Sequence, residues 1–303
     1  MHNLIFIIKF LTLFTIITYF VLFYIMPQYT TGYNASIIDK YYRLCDINDP
    51  KIILVGDSNV AYGFDSEKIQ LAFNMPVVNF GLHGGLGQTF HTDMIKKNIN
   101  NGDVVIIVPD RYNYNSDKIR DNVLAWVTIE NHFFLWDGIS SDSYYNLLLA
   151  YPTYLKKALN LFITNKGNKP IEGTYSRASF NEYGDNIYPR PDCIMTEDRY
   201  NGNFNTKLSQ IMKVYWNEYN KYVINKNATL YMSCPPILDK MLREDLESLQ
   251  NQLEYELDFT MISQLIDYIY PLEYFYNTNL HLNDLGKDIR TQQFILDLKK
   301  YLK

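Results

Sequence analysis

The triplet Gly56-Asp57-Ser58 puts a hydroxyl group where it could act as a nucleophile. It follows the apolar run 52–55 (IILV), and short uncharged runs rich in β-branched residues are typical of strands buried on both faces of a parallel sheet. A serine on the turn after such a strand would expose its Oγ at the carboxyl edge of the sheet, where it needs a base to take its proton. Three residues are a weak signal by themselves, and a plain turn is the alternative interpretation.

His281 is the best candidate for that base. It lies in the segment 277–286, a loop before the last predicted helix, from which it could swing beside a serine of the first strand. His2 comes before the apolar N-terminal run, and no motif surrounds His91 or His132. Considered alone, His281 would be interpreted as a surface histidine that caps a helix.

A glycine-rich loop is the third group with potential chemistry. Residues 77–80 predict a second strand, and the loop 81–85 (GLHGG) follows it directly. Glycines let the backbone approach a ligand and aim its N–H groups inward. Because neighbouring parallel strands end at the same edge of a sheet, we expect this loop beside Ser58, with His83 as a candidate substrate contact. A flexible strand-to-helix turn is the alternative.

The elements that must position these residues alternate between strand and helix patterns, which favours an α/β domain with a doubly wound parallel sheet. In such sheets, sites collect at the carboxyl ends of the strands. The predicted strands are 52–55, 77–80, 104–108 and 228–233, and the predicted helices are 66–73 with Ser66 as its cap, 86–100, 143–162, 206–224, 241–268 and 284–302.

An apolar run near the N-terminus, residues 4–26, contains Lys9 as its only charge and approaches the ~20 residues that span a bilayer. Pro27 follows it, and no small-residue cleavage site does, so residues 1–27 are predicted to be an uncleaved transmembrane signal anchor. Lys9 favours a cytoplasmic N-terminus, although Lys40 and Arg43 lie on the other flank. We therefore expect a single-pass inner-membrane protein with its domain on the periplasmic or extracellular side. A domain that faces the cytoplasm and acts on a small ester is the weaker alternative.

The remaining boundaries divide the chain into a stalk and one large domain. Residues 28–50 are predicted to be the stalk and residues 51–303 the domain. The stretch 113–202 interrupts the alternation of strands and helices and predicts an insertion, either a lid or substrate surface near the site or an ordinary decorated connection.

Composition excludes several classes of partner. The net charge is −5 and no long basic run is present, so nucleic acid is not an expected partner. Cys45, Cys193 and Cys234 form no CxxC pair, which argues against a zinc site or a disulfide scaffold. The 27 tyrosines would suit sugar contacts, although a bias toward Ile, Asn, Lys and Tyr explains most of them.

Together the three groups of residues resemble the SGNH (GDSL-type) hydrolase superfamily. Gly56-Asp57-Ser58 matches its first block, residues 79–84 match its second block with Gly84 at the oxyanion glycine, and His281 matches its last block. The segments VNFGLHGGLG, GDVVIIVPDRYNY and NLHLNDLG look more closely like a bacterial subgroup with an N-terminal membrane anchor.

The resemblance covers residues 51–112 and 228–302 and leaves the insertion largely uncovered. It implies a flavodoxin-like three-layer α/β/α sandwich preceded by one transmembrane helix. It also implies ester hydrolysis or O-acyl transfer, often on cell-surface glycans, with no metal or organic cofactor.

Two departures from the superfamily pattern concern the partner of the histidine and the third block. The superfamily has an Asp three residues before the histidine, where this chain has Thr278, and Asn277 stands where the subgroup's Asp is expected. An Asn can orient an imidazole but cannot stabilise imidazolium by charge, and that change costs about ten-thousand-fold in a Ser-His-Asp triad. Asp284 is an alternative partner or a helix cap. The third-block Asn is also missing, because Pro109-Asp110-Arg111-Tyr112 follows the third strand.

The expected function is therefore that of a serine esterase or O-acyltransferase, O-acetyl in particular, acting on a cell-envelope polysaccharide or a small ester. Ser58 would be the nucleophile, His281 the base and Asn277 its orienting partner. The Ser58 and Gly84 N–H groups and the Asn79 side chain would bind the oxyanion, and Asp57 and His83 would lie near the substrate. The rival expectation is a catalytically inactive SGNH-like domain that binds glycan or serves in assembly.

Overall fold

The computed structural model describes residues 2–110, Tyr114 and residues 118–195, 207–239 and 243–302. Its strands are β1 (Ile52–Gly56), β2 (Val77–Gly81), β3 (Val104–Val108), β4 (Thr229–Met232), β5 (Ile237–Leu238), β6 (Thr260–Met261), β7 (Ile269–Tyr270), β8 (Phe275–Thr278) and β9 (His281–Leu282). Five of them form the central sheet in the order β2-β1-β3-β4-β6, and all four neighbouring pairs are parallel.

Helices surround this sheet. They are α1 (His2–Phe20), α2 (Ser36–Asp46), α3 (Ser58–Gly63), α4 (Ser66–Phe73), α5 (Gln88–Lys96), α6 (Asn122–Ile129), α7 (Tyr144–Ile163), α8 (Gln210–Asn225), α9 (Arg243–Glu256) and α10 (Asp284–Leu298). The prediction of an α/β protein with a parallel sheet is confirmed.

Strand β1 shows why the sheet is buried on both faces. Ile53 and Val55 join one apolar core, whereas Ile52 and Leu54 join a second core on the opposite face. Successive side chains of a strand point to opposite faces, so an uninterrupted apolar run requires cover on both. Because β1 lies between β2 and β3, its carboxyl end emerges between those of two other strands, and Ser58 follows it there.

The segment predicted as a stalk, residues 28–50, is packed into the domain. Helix α2 buries Ile37 and Leu44. The buried Lys40 ammonium donates to the carbonyl oxygens of Asn79 and Gly184, at 3.1 and 2.5 Å, and thereby holds the strand that leads to the glycine-rich loop. The stalk interpretation is corrected. The charged residues of this segment suggested an exposed connection, but Lys40 is buried because two backbone carbonyl groups accept its hydrogen bonds.

The predicted helix 241–268 is shorter in the structure, and residues 241–242 lie outside the described part of the chain, as does residue 206 of the preceding predicted helix. Helix α9 ends at Glu256 because Asn217 of α8 donates to the Glu256 carbonyl (3.0 Å) and accepts from the Asp258 N–H (2.9 Å). The chain then turns into the short edge strand β6. Tertiary contacts thus end this helix, and its own sequence carries no such signal.

Two predicted helix caps are also corrected. Asp65 caps α4 by accepting from the Lys68 N–H, while the Ser66 hydroxyl donates to Asp185 at 2.6 Å. Asn283 caps α10, and Asp284 instead accepts from the backbone N–H of Arg190 at 2.8 Å. In both cases the side chain that was predicted to cap the helix binds a residue of the predicted insertion instead. Ser66 binds Asp185, and Asp284 binds Arg190.

Of the predicted insertion, 113–202, the structure describes Tyr114 and residues 118–195. Helices α6 and α7 lie in it and contribute buried side chains to the main core, among them Trp126, Leu147 and Tyr154. The insertion is therefore part of the folded domain, and it also reaches the site described below.

Helix α1 carries exposed apolar side chains and continues through a π-helical turn, Val21–Ile25. The stretch Asn3–Ile25 is 23 residues long, and its length and composition are sufficient for it to span a membrane. Of the predicted anchor, 1–27, residue 1 lies outside the described part of the chain.

Candidate active site

Ser58 and His281 meet at the carboxyl edge of the sheet. Ser58 is the first residue of α3, directly after β1 and the Asp57 cap, and the antiparallel pair β8–β9 carries His281. The Ser58 Oγ lies 2.8 Å from the His281 Nε2, which is a full hydrogen bond. The turn between β1 and α3 is tight, because a Cβ on Gly56 would lie 2.5 Å from the Val108 carbonyl oxygen.

Asn277 orients the imidazole. Its Oδ1 lies 2.8 Å from the His281 Nδ1, and its Nδ2 donates to the Tyr175 hydroxyl at 2.9 Å. In this amide orientation the oxygen faces the ring and the NH₂ group faces Tyr175. The Nδ1 then carries the proton, and the lone pair of Nε2 accepts the hydrogen bond from Ser58.

Thr278, three residues before His281, forms the β8–β9 turn. Its hydroxyl oxygen accepts from the N–H groups of Leu280 and His281, at 3.3 and 3.2 Å. The antiparallel register places Thr278 opposite His281 in the ladder, so the side chain that reaches the ring nitrogen comes from Asn277. Asp284 is engaged with Arg190 and is not the histidine's partner.

The His281 ring is buried beneath an aromatic side chain. Tyr62 stacks on it with the ring centroids 4.0 Å apart, and the Arg190 guanidinium lies 4.8 Å from the centroid of Tyr62. Burial first, and then the charge of Arg190, lower the pKa of His281 to about 3. The ring is thus neutral and ready to accept a proton at neutral pH, while the imidazolium that would form is disfavoured.

Asp57 serves mainly as a helix cap. Its Oδ1 accepts from the backbone N–H of Asn59 at 2.7 Å and from the Asn59 amide at 2.6 Å. Its Oδ2 lies near Gly84, where a Cβ would be 3.2 Å from it and 3.7 Å from the Asp110 Oδ2. Burial, followed by the neighbouring Asp110 carboxylate, raises the pKa of Asp57 well above its ordinary value. Asp57 also lines the cavity beside Ser58.

Asn79 does not face the site, contrary to the expectation that its side chain would bind an oxyanion. Its amide donates to the Val60 carbonyl at 3.0 Å and to the Asp185 carboxylate at 2.7 Å, and its Oδ1 accepts from the Gly81 N–H. Both amide hydrogens are therefore used inside the protein. The expectation failed because Asp185 comes from the insertion, whose path could not be predicted.

A cavity of about 590 Å³ opens in front of Ser58 and His281. Within the described ranges, the backbone N–H groups of Ser58 and Gly84 have no hydrogen-bond partner in the protein. His83 lies at the rim and accepts from the Gly85 N–H through its Nδ1, at 2.9 Å. The lining residues are Tyr33, Asp57, Ser58, His83, Gly84, Gly85, Asp110, Arg120, Asp121, Tyr175, Thr278, Asn279, Leu280 and His281.

Several of these residues were not expected from the sequence. Tyr33 comes from the segment predicted as a stalk, and its buried hydroxyl has no partner within the described part of the chain. Arg120, Asp121 and Tyr175 come from the predicted insertion. In the third block, Asp110 lies at the cavity, whereas Arg111 and Tyr112 lie outside the described residues. A tyrosine in a polar segment offers no sequence signal for a site.

Arg290 supports the turn that carries Ser58 and was also missed. It is fully buried, and its guanidinium donates to the backbone and side-chain oxygens of Asn59, at 2.7 and 2.9 Å, and to the Cys234 carbonyl, at 2.9 Å. The burial of Arg290 could have been predicted from helical spacing, because it lies on α10 one turn before Phe294, on the buried face.

We expect Arg290→Met to destabilise the protein by about 3 kcal/mol or more, because the substitution leaves three buried oxygens without donors. Denaturant unfolding of the full chain in detergent measures the change. Gln292→Met, at an exposed position of the same helix, is the matched control. A loss for Arg290→Met no larger than that of the control would contradict this role.

Within the described ranges, no group of three or more His, Cys, Asp or Glu side chains is arranged to hold a metal ion. The three cysteines are unpaired. The polar side chains that line the cavity include the Ser58 hydroxyl, the imidazoles of His83 and His281 and three carboxyl groups. A hydroxyl beside an imidazole, together with free backbone N–H groups, can support acyl transfer.

No protein-family model, curated protein or solved structure matches the chain.

Proposed function

We propose that this protein is a serine esterase or O-acyltransferase of the SGNH type. One observation carries the proposal: a continuous hydrogen-bonded row from the Ser58 Oγ through the His281 imidazole to the Asn277 amide, with both contacts at 2.8 Å, at the floor of an open cavity. A serine hydroxyl becomes a useful nucleophile when a neutral, oriented base accepts its proton.

The reaction follows from this geometry. The Ser58 Oγ attacks the acyl carbonyl while its proton passes to the His281 Nε2, and the carbonyl oxygen becomes an oxyanion. The N–H groups of Ser58 and Gly84 are the available donors for that oxyanion. Collapse of the intermediate breaks the bond to the alcohol, which takes the proton from Nε2 and leaves an acyl-serine. Water or a sugar hydroxyl then attacks the acyl group by the same route and releases Ser58.

The order of the sheet supports a flavodoxin-like three-layer arrangement. Counted along the chain, the five strands of the sheet lie in the order 2-1-3-4-5, which is the flavodoxin-like order, and ligands bind such sheets at the carboxyl ends of the strands. Ser58 after β1 and the loop after β2 lie at that edge.

An envelope glycan is the substrate class that the surroundings favour. Tyr33 and Tyr175 place aromatic rings at the cavity, with centroids 6.3 Å apart, and flat rings with polar tips suit sugar faces. The anchor would keep the site near a membrane, with the domain on the periplasmic or extracellular side. An O-acetyl group is small compared with the cavity of about 590 Å³ that Ser58 and Gly84 line.

The direct test is covalent labelling of the full chain in detergent with a fluorophosphonate probe, combined with turnover of an aryl acetate. We expect one labelled residue, Ser58, and loss of both signals in Ser58→Ala. Ser248→Ala, at an exposed position of α9, is the control and should leave both signals intact. Labelling that persists in Ser58→Ala would sink the proposal.

The pH dependence of the reaction provides a second test. Because the pKa of His281 is lowered to about 3, the base stays neutral as the pH falls from 8 to 5. We expect kcat/KM to change less than about twofold over this range, whereas a histidine with an ordinary pKa would lose about thirty-fold at pH 5. An acid limb near pH 6.5 would contradict the buried neutral base.

Stability must be followed in the same experiment. The folded chain binds fewer protons at His281 than the unfolded chain below the ordinary histidine pKa, so this group makes the protein less stable as the pH falls. Tryptophan fluorescence at each pH separates a change in protonation from unfolding.

An inactive glycan-binding domain is the second candidate, and Asn277 is the observation that favours it. An amide beside the ring cannot stabilise imidazolium by charge, and the low pKa of His281 acts in the same direction. Binding of an O-acetylated oligosaccharide by wild type and Ser58→Ala alike, with no release of acetate and no probe labelling, would favour this candidate over the enzyme.

A further inference from the structure

Helix α7 has three distinct faces. One face is buried against the domain through Leu147, Tyr154 and Ala158. A second face is polar and exposed, and it contains Asn146, Thr153, Lys157 and Asn160. The third face is apolar and also exposed, which is unusual for a helix packed on a soluble domain. We call this third face the α7 stripe; it consists of Tyr145, Leu148, Leu149, Pro152, Leu159 and Ile163.

The α7 stripe follows helical spacing, since its members recur every three or four residues and only Lys156 interrupts the row. Leu148, Leu149 and Ile163 expose 68%, 63% and 71% of their surface. A contiguous apolar surface of this kind on a folded protein marks contact with another apolar phase or molecule.

Helix α7 packs against the apolar N-terminal helix α1. The Phe162 ring lies edge-on to Phe20, with the centroids 6.1 Å apart, and the Tyr154 hydroxyl donates to the Met26 carbonyl at 2.8 Å. Later residues of α7 thus contact earlier residues of the anchor, so α7 runs down beside it. Phe20 lies five residues before the end of the span Asn3–Ile25, which corresponds to about 7 Å along the helix axis.

Hydrogen bonds hold the segment that follows α1 against the domain. The Glu130 Oε1 accepts from the backbone N–H groups of Gln28 and Tyr29, at 2.9 and 3.0 Å. Asn168 donates to the Pro27 carbonyl and accepts from the Thr30 N–H at 3.1 Å. The residues directly after α1 are therefore bound to the domain. As a result, the depth of α1 in the membrane sets the depth of α7.

The charges around α7 suit a phospholipid surface. The helix contains no acidic residue, and exposed lysines lie on it and just after it, at positions 156, 157 and 166. Lysine side chains at the edge of an apolar helix face can extend to phosphate groups while their methylene stems stay among the lipid tails.

We propose that α7 is a second membrane contact, with the α7 stripe lying in the interface of the bilayer that α1 spans. Leu159, Phe162 and Ile163 reach the hydrocarbon, and the N-terminal end of the stripe stays among the head groups. The cavity would then open at a fixed height above the membrane. This proposal rests on α1 spanning the membrane and is independent of the chemistry proposed for Ser58.

The test places an environment-sensitive fluorophore at single cysteines of the full chain, reconstituted in phosphatidylcholine vesicles with brominated acyl chains. Cys45→Ser and Cys193→Ser provide the background, since Cys234 is buried. Leu159→Cys and Leu148→Cys report on the stripe. Lys157→Cys and Asn146→Cys, on the polar face at matched heights, are their controls, and thermal melting in detergent checks that each variant folds.

We expect bromolipid to quench Leu159→Cys at least threefold more than Lys157→Cys, with weaker quenching at Leu148→Cys and little at Asn146→Cys. Equal quenching on the two faces would overturn the proposal. It would also be overturned if the stripe positions escape quenching and form disulfide-linked dimers, because the stripe would then cover a second copy. Neither result would affect probe labelling of Ser58.

Discussion

Ser58→Ala is expected to lower turnover of an activated ester at least a thousandfold, with little change in stability. The hydroxyl is the only group in the row from Ser58 to Asn277 that can form an acyl intermediate, and its loss in a serine hydrolase removes a factor of about a million in kcat. Ser58 is half-buried and donates only to the His281 Nε2 among the described contacts. Initial rates with an aryl acetate measure the effect.

The double variant Ser58→Ala/His281→Ala sharpens this prediction. When two residues act as one catalytic unit, removing either one abolishes the contribution of both. The double variant should therefore be about as slow as either single variant. If the two losses multiply instead, Ser58 and His281 contribute independently, and the 2.8 Å contact between them is not a catalytic pair. Ser248→Ala again serves as the unaffected control.

Asn277→Asp is expected to raise turnover at pH 8 by roughly ten- to a hundredfold. A carboxylate at the position of the Asn277 Oδ1 would keep the 2.8 Å contact with the His281 Nδ1 and stabilise the imidazolium that forms when Ser58 attacks. The reverse change in a Ser-His-Asp triad costs about ten-thousand-fold. The Tyr175 hydroxyl, which now accepts from the Asn277 amide, can donate to the carboxylate.

The pH profile of Asn277→Asp distinguishes this effect from a change in packing. The new charge raises the pKa of His281 from about 3, so an acid limb should move up toward pH 6 and the gain should shrink as the pH falls to 5. Thr278→Asp, at the position of the superfamily's Asp, is the matched control and should not gain, because Thr278 forms the turn and does not face the Nδ1. If Asn277→Asp is slower at every pH and its acid limb does not move, Asn277 is not the orienting partner.

The local pattern of apolar residues was sufficient to predict much of the fold. The runs that begin at Ile52, Val77 and Val104 became strands within one residue of their predicted ends, because β-branched apolar runs are favourable only when a sheet buries both of their faces. Helix α9 was predicted too long and α2 was hidden in a predicted stalk, because amide and lysine contacts from distant elements decide both.

The amino-acid sequence by itself determined the chemical groups, namely a serine after the first strand, a glycine-rich loop after the second, a late histidine with Asn277 four residues before it, and an apolar N-terminal helix. These signals are local, since each depends on residue type and short spacing. The tertiary structure alone decided what surrounds them: Tyr62 on the His281 ring, Arg190 over the ring of Tyr62, Asp185 on Asn79, and Tyr33 at the cavity. Such contacts join residues that are far apart in the chain, and no spacing rule encodes which buried donor will find which acceptor once the chain has folded.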